Sequence, residues 1–158
     1  MNNTERVIKI RSRESEFIKA INFIDEIIAS WNISNRYYGN ILLAIEEALK
    51  NAMIHGNRHD EEKYITIEFK RIPNQLLFII TDEGEGFDFK KIQQEVFDFN
   101  FSGKGLFLIQ SLANKVTFHN NGRSVEIGFI ISGINPETAF KRIVCLNSYF
   151  KGQKIGAH

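Results

Sequence analysis

The feature that most limits how this chain can fold lies near its middle. Two runs of β-branched and aromatic residues, 64–72 and 76–81, are separated only by Pro73-Asn74-Gln75. Three turn-forming residues cannot carry the crossover of a dozen or more that parallel strands need, so the two runs pair antiparallel as a hairpin. A central hairpin breaks the strand-helix-strand cadence of a doubly wound parallel sheet. Residues 5–11 alternate as Glu, Arg, Val, Ile, Lys, Ile, Arg, the rough two-residue period of a half-buried strand. Residues 115–119 and 124–131 read as two further strands about an Asn121-Gly122 turn. Helical spacing appears in four places. Over residues 14–31, Phe17, Ile18, Ile21, Ile24, Ile27 and Ile28 recur three and four apart. Over residues 35–55, behind a Ser34 cap, Tyr38, Ile41, Leu42, Ile45, Leu49, Ala52 and Met53 form one face, which Gly56 ends. Residues 106–113 make a third helix. Pro136 opens a fourth within 137–150, where Phe140, Ile143 and Val144 share a face that suits either a dimer contact or a cover over exposed sheet. The predicted fold class is α+β: a two-layer sandwich of a mixed, mostly antiparallel sheet with helices on one face.

The length of 158 residues suits one domain, with its core at about residues 5–131 and a C-terminal extension, 132–158. Twenty Lys and Arg against nineteen Asp and Glu leave a formal charge of +1, without the basic excess of a protein that grips nucleic acid through phosphates. Cys145 is the single cysteine, which excludes an intrachain disulfide and a cysteine-zinc scaffold. The run MNNTERVIKIRSRESEF scatters charge where a signal peptide needs an apolar stretch, and no run of membrane-spanning length occurs. The expectation is a cytoplasmic protein with no membrane partner. Trp31 reads as a core anchor, His55 as a helix end and His59 as part of a solvated loop.

Three segments depart from what packing alone selects. In Glu46-Glu47-Ala48-Leu49-Lys50-Asn51, the side chains of Glu47 and Asn51 share a helix face, their Cβ atoms about 6 Å apart. An amide oxygen can ligate Mg²⁺ while a neighbouring carboxylate orders a metal-bound water or accepts a proton; the same pair also suits a plain solvated face. In Thr81-Asp82-Glu83-Gly84-Glu85-Gly86-Phe87, an Asp at a strand end is followed by two glycines that let the backbone turn sharply and leave room for a flat ligand. Asp82 can accept from an exocyclic amine such as adenine's, or the segment is ordinary turn chemistry. In Ser102-Gly103-Lys104-Gly105-Leu106, a glycine pair opens a helix, which makes either a phosphate cradle or a simple cap. GxxxxGK[ST] is absent, and GxGxxG fails at Ile109-Gln110. The hydrophobic rhythm breaks down between residues 82 and 105, the signature of a functional loop or lid.

A helix with Glu-xxx-Asn, a strand ending in DxGxGF, a loop, and GxGL opening a helix, in that order over residues 41–131, resembles the Bergerat-type ATP-binding fold of gyrase and histidine kinases. Within that superfamily, AIEEALKNAMIHGN and SGKGLFLIQSLANKV are similar to the bacterial anti-sigma-factor serine/threonine kinases. The resemblance implies ATP and Mg²⁺ as cofactors, with Glu47 as general base and Asn51 as Mg²⁺ ligand. It also implies that Asp82 reads adenine, that Gly84, Gly86, Gly103, Lys104, Gly105 and Leu106 shape the lid and phosphate loop, and that Ser124 lies near the base. The implied partners are an anti-anti-sigma (STAS-type) protein, phosphorylated on Ser or Thr, and a sigma factor; a homodimer is compatible. The alternative is a nucleotide-dependent binding module without turnover. The sequence departs from the family's pattern at Lys50, where a Thr or Ser is frequent.

Overall fold

In the computed structural model, residues 4–86, 104–131, 143–145 and 147–148 are described. The elements are β1 (Glu5–Arg11), α1 (Phe17–Ser30), α2 (Asn35–Asn51), a π-helical turn (Ala52–Gly56), β2 (Tyr64–Ile72), β3 (Gln75–Thr81), α3 (Lys104–Leu112), β4 (Lys115–His119) and β5 (Ser124–Ile130). The strands form one sheet in the order β1-β2-β3-β5-β4. Every described pairing is antiparallel, so the expected α+β class holds and the sheet is not mixed among these residues.

The hairpin is tighter than its composition implies. Ile72 pairs with Gln75, leaving Pro73 and Asn74 as the whole turn. Asn74 adopts a left-handed φ of 62°, a conformation Asn tolerates better than most residues. From this turn the register sets the core. Phe69 lies opposite Phe78, which lies opposite Ile127; Ile67 faces Ile80, and Leu76 faces Phe129. All are buried on one side of the sheet. The Phe69 and Phe78 rings stand 5.3 Å apart and tilted, and Phe78 meets Phe129 edge-on at 6.2 Å. Each such pair adds about 0.5–1.5 kcal/mol to the burial itself.

Both long helices close over this face. From α1 come Phe17, Ala20, Phe23, Ile24, Ile27 and Ile28. The predicted stripe is right in period and partly wrong in membership, because Ile18 is 56% exposed while Phe23 is buried. The helix starts at Phe17 rather than at residue 14, and at 100° per residue Ile18 falls on the side opposite the stripe. From α2 come Ile41, Ala44, Ile45, Ala48 and Leu49, with the Ser34 side chain accepting from Arg36 N at the N-cap. Trp31 is half-buried against the core, with the Arg71 guanidinium 4.3 Å from its ring centre. At the far end α2 does not run on to residue 55 as a regular helix. It widens into the π turn, closed by Asn57 N donating to Ala52 O at 2.7 Å. Of the C-terminal stretch, residues 143–145 and 147–148 are helical and exposed.

Candidate functional site: the C-terminal end of α2

Glu47 and Asn51 leave the last turns of α2 on the face that meets α3. Their common neighbour is Gly105, where an added Cβ would stand 3.1 Å from Glu47 Oε2 and 3.2 Å from Asn51 Oδ1. The backbone of α3 therefore lies close to the acid and the amide, near enough that a side chain at 105 would need their ends to give by a few tenths of an ångström. Lys104, Gly105 and Leu106 form the first turn of α3, where backbone N–H groups have no intrahelical acceptor and carry partial positive charge. Leu106 is buried and seats that turn. Lys50, one turn from Glu47, donates to Glu47 Oε1 at 3.3 Å, which leaves Oε2 as the oxygen nearest α3.

The π turn leads from Asn51 to the second half of the site, roughly 7 Å along the helix axis. There Asp82 leaves the end of β3 and is buried, at 8% exposure. A Cβ at Gly56 would overlap its carboxylate, and a Cβ at Gly84 would overlap the Gly56 carbonyl. Gly84 N donates to Asp82 Oδ1 at 2.8 Å, and Asp82 N donates to Arg123 O at 2.9 Å. Burial pushes the Asp82 carboxyl above its ordinary range, against the opposing pull of the Gly84 N–H and the charges of Arg123 and Lys63. Gly84 takes one of the roughly four acceptor positions of a carboxylate. Gly86, at φ 84°, packs against the Asn121 carbonyl, a position closed to a residue with a side chain. Ser124 is buried opposite Thr81 in the β3–β5 register; the two hydroxyls share a 2.8 Å hydrogen bond, and Asn120 Nδ2 donates to Ser124 Oγ at 3.0 Å. This network fixes the strand end from which Asp82 departs.

Two residues of this corner carry no role in the sequence reading. Gly56 reads there only as a helix end, and Asn57 only as the last residue of AIEEALKNAMIHGN, with no role of its own. In the structure Asn57 is fully buried and hydrogen-bonds on both sides. The run His55-Gly56-Asn57 contains no local signal of this, because its partners lie in β2 and beyond β3. His55 itself is exposed, as is His59. Gly103 and the expected lid, 88–103, lie outside the described residues, as does the Lys104 side chain.

The arrangement suits a nucleotide. A buried carboxylate beside two close-packed glycines offers a strong, dry acceptor to a flat base with an exocyclic amine. Among the described residues no group of three or more His, Cys, Asp and Glu could hold a metal by itself. The single amide oxygen of Asn51 next to Glu47 instead fits the way Mg²⁺ is held by few protein oxygens together with phosphates and water.

Residues 10–129 match the family described as the histidine kinase-like ATPase domain. The chain is 30% identical over 114 residues to Serine-protein kinase RsbW of Bacillus subtilis, covering 65% of this chain and 71% of that protein. It is 32% identical over 90 residues to Serine-protein kinase RsbW of Oceanobacillus iheyensis, covering 51% and 57%. The protein of that name from Listeria monocytogenes is 28% identical over 114 residues, covering 66% and 73%.

Proposed function

The chain belongs to the family of histidine kinase-like ATPase domains, and from that premise we propose that it is an ATP-dependent serine/threonine protein kinase and anti-sigma factor. It acts in the cytoplasm, phosphorylates an anti-anti-sigma protein of the STAS type and sequesters a sigma factor. The observation that carries this reading is the meeting of Glu47, Asn51 and the first turn of α3 at Gly105, one π turn away from the buried Asp82.

Phosphoryl transfer depends on positioning and on neutralising charge more than on covalent chemistry by the protein. Asp82 accepts from the exocyclic amine of adenine and sets the orientation of the nucleotide. Asn51 would hold Mg²⁺, which when bound would supply positive charge to offset that of the phosphates. The amides at the start of α3 face the terminal phosphate, with Gly105 giving them room beside Glu47. Glu47 receives the proton of the acceptor hydroxyl as the partner's oxygen bonds to the γ-phosphorus and the bond from that phosphorus to the β-phosphate oxygen breaks, releasing ADP.

The test is transfer of label from γ-labelled ATP to an anti-anti-sigma protein. Glu47→Gln keeps size and hydrogen-bonding reach while removing the base. Transfer is expected to fall by about 10²–10⁴-fold with ADP affinity unchanged. Equal labelling by wild type and variant removes Glu47 from the base role.

One observation favours a second reading. Lys50 donates to one oxygen of Glu47, which places a positive charge beside the carboxylate that would take the proton. On that reading the chain is a regulatory module whose nucleotide only sets the conformation that holds a sigma factor. ATP bound but unconsumed over hours with the antagonist present would decide for it.

A further inference from the structure

Asn57 lies between three segments distant in sequence. It follows the π turn at the end of α2, its Nδ2 donates to Tyr64 O at the start of β2 at 3.0 Å, and its Oδ1 accepts from Glu83 N, the amide directly after Asp82, at 2.8 Å. Tyr64 N in turn donates to Glu83 Oε1 at 2.8 Å, so residue 83 is held by its main chain and by its side chain. The next amide, Gly84 N, is taken by Asp82 Oδ1. Both N–H groups that follow the carboxylate are thereby committed, and the peptide plane carrying Asp82 is left little freedom to rotate. The backbone immediately beyond Asn57 is strained: Arg58 and His59 both adopt left-handed φ values, 52° and 60°, a conformation that persists in residues with side chains only where the surroundings enforce it. Asn57 itself is at 0% exposure. A fully buried amide with both ends bonded sets geometry rather than solubility.

We propose that Asn57 is a positioning residue for base recognition: by holding the Glu83 amide it fixes the Asp82 carboxylate in the orientation that selects adenine over a 6-oxopurine. This rests on the assignment of Asp82 as the adenine-reading group. Adenine offers a 6-amino donor, whereas hypoxanthine presents a carbonyl oxygen there, which a fixed carboxylate repels. A carboxylate free to rotate discriminates less. The side chain of Asn57 does not touch the nucleotide and acts only through residues 82–84.

The experiment is calorimetric titration of the full chain with ADP and with inosine diphosphate, both with Mg²⁺, for wild type, Asn57→Ala and Asp82→Asn. Wild type is expected to prefer ADP. Asn57→Ala is expected to lower the ratio of ADP to inosine diphosphate affinity at least fivefold, chiefly by loss of ADP affinity, with inosine diphosphate affinity within about twofold of wild type. Loss of thermal stability with the ratio intact would overturn the proposal and leave Asn57 a purely structural residue. If Asn57→Ala does not fold, Asn57→Asp keeps the acceptor for Glu83 N, and a ratio within threefold of wild type is expected; collapse of the ratio in that variant overturns the Glu83 contact as the means. The reading beneath is tested separately. A ratio lost in Asp82→Asn but kept in Asn57→Ala sinks this inference alone, whereas a ratio kept in Asp82→Asn removes Asp82 as the adenine reader and takes the inference with it.

Discussion

The two ends of α2 are built on different terms. At its N-terminal end, Ser34 caps the first turn and Gly39 sits exposed, with nothing within 4 Å of where its Cβ would be. Nothing there requires a glycine, and helix propensity alone sets its effect. At the C-terminal end, Gly56 is pressed against Asp82 and Gly84 against the Gly56 carbonyl, and the helix widens into a π turn to bring them together. Gly39 in the helix and Gly56 in the π turn that follows it thus have opposite meanings. The first is a weakness in a structural element, the second a condition for a site. π turns inside helices are commonly found where function, not stability, selects the backbone.

The contrast is broken most severely at the site end. Gly84→Ala drives a methyl group into the Gly56 carbonyl, which is backbone and cannot swing aside. The expected loss is about 1–3 kcal/mol of stability and at least about tenfold in nucleotide affinity, read by thermal melting and ADP titration. A variant that melts and binds like wild type would show that the two segments separate readily and that the close approach is incidental.

Asp82→Asn sharpens the comparison by parting binding from stability. Replacing a charged acceptor by a neutral one is expected to lower ADP affinity about ten- to hundredfold. Stability moves the other way. Because burial raises the carboxyl above its ordinary value of 3.8, the folded state binds its proton more readily than the unfolded chain does. Folding stability therefore falls as pH rises from that value through the raised one. The variant, having no such group, should melt above wild type at neutral pH, with the gap closing on acidification below pH 4. A gap independent of pH would mean that ionisation of Asp82 is not the cause.

The N-terminal end should show only ordinary helix energetics. Ser34→Ala removes a long cap hydrogen bond of 3.4 Å and is expected to cost about 0.5 kcal/mol, the low end of the range for caps. Gly39→Ala is expected to add about 0.5–1 kcal/mol, seen as a higher melting temperature, with ADP affinity unchanged. A change in ADP affinity from either would couple the two ends and erase the distinction.

Much of this architecture was legible beforehand. The short Pro73-Asn74-Gln75 link, the two-residue period of residues 5–11 and the helical spacing of Ile41, Ile45 and Leu49 each report on neighbours a few positions away, and each led to the right element. The pairing of Glu47 with Asn51 was visible for the same reason, since one helical turn is a local distance. Ile18 misled because its three-residue spacing to Ile21 fits the helical period, although at 100° per residue it lies on the side away from the buried stripe. The burial of Asn57, the π turn and the contact of Gly56 with Gly84 left no mark in the pattern.

What the sequence by itself determined is the set of elements, their order, and the residue types available at each junction, because these follow from backbone sterics and from apolar spacing within a few residues. The tertiary structure alone decided that Gly105 faces Glu47 and Asn51, and that Asn57 reaches an amide 26 positions away beside Asp82. Those contacts depend on how the sheet register and the helix crossing place distant segments. A hydrogen bond that spans so much chain is favourable only after the core has already closed the loop between its ends.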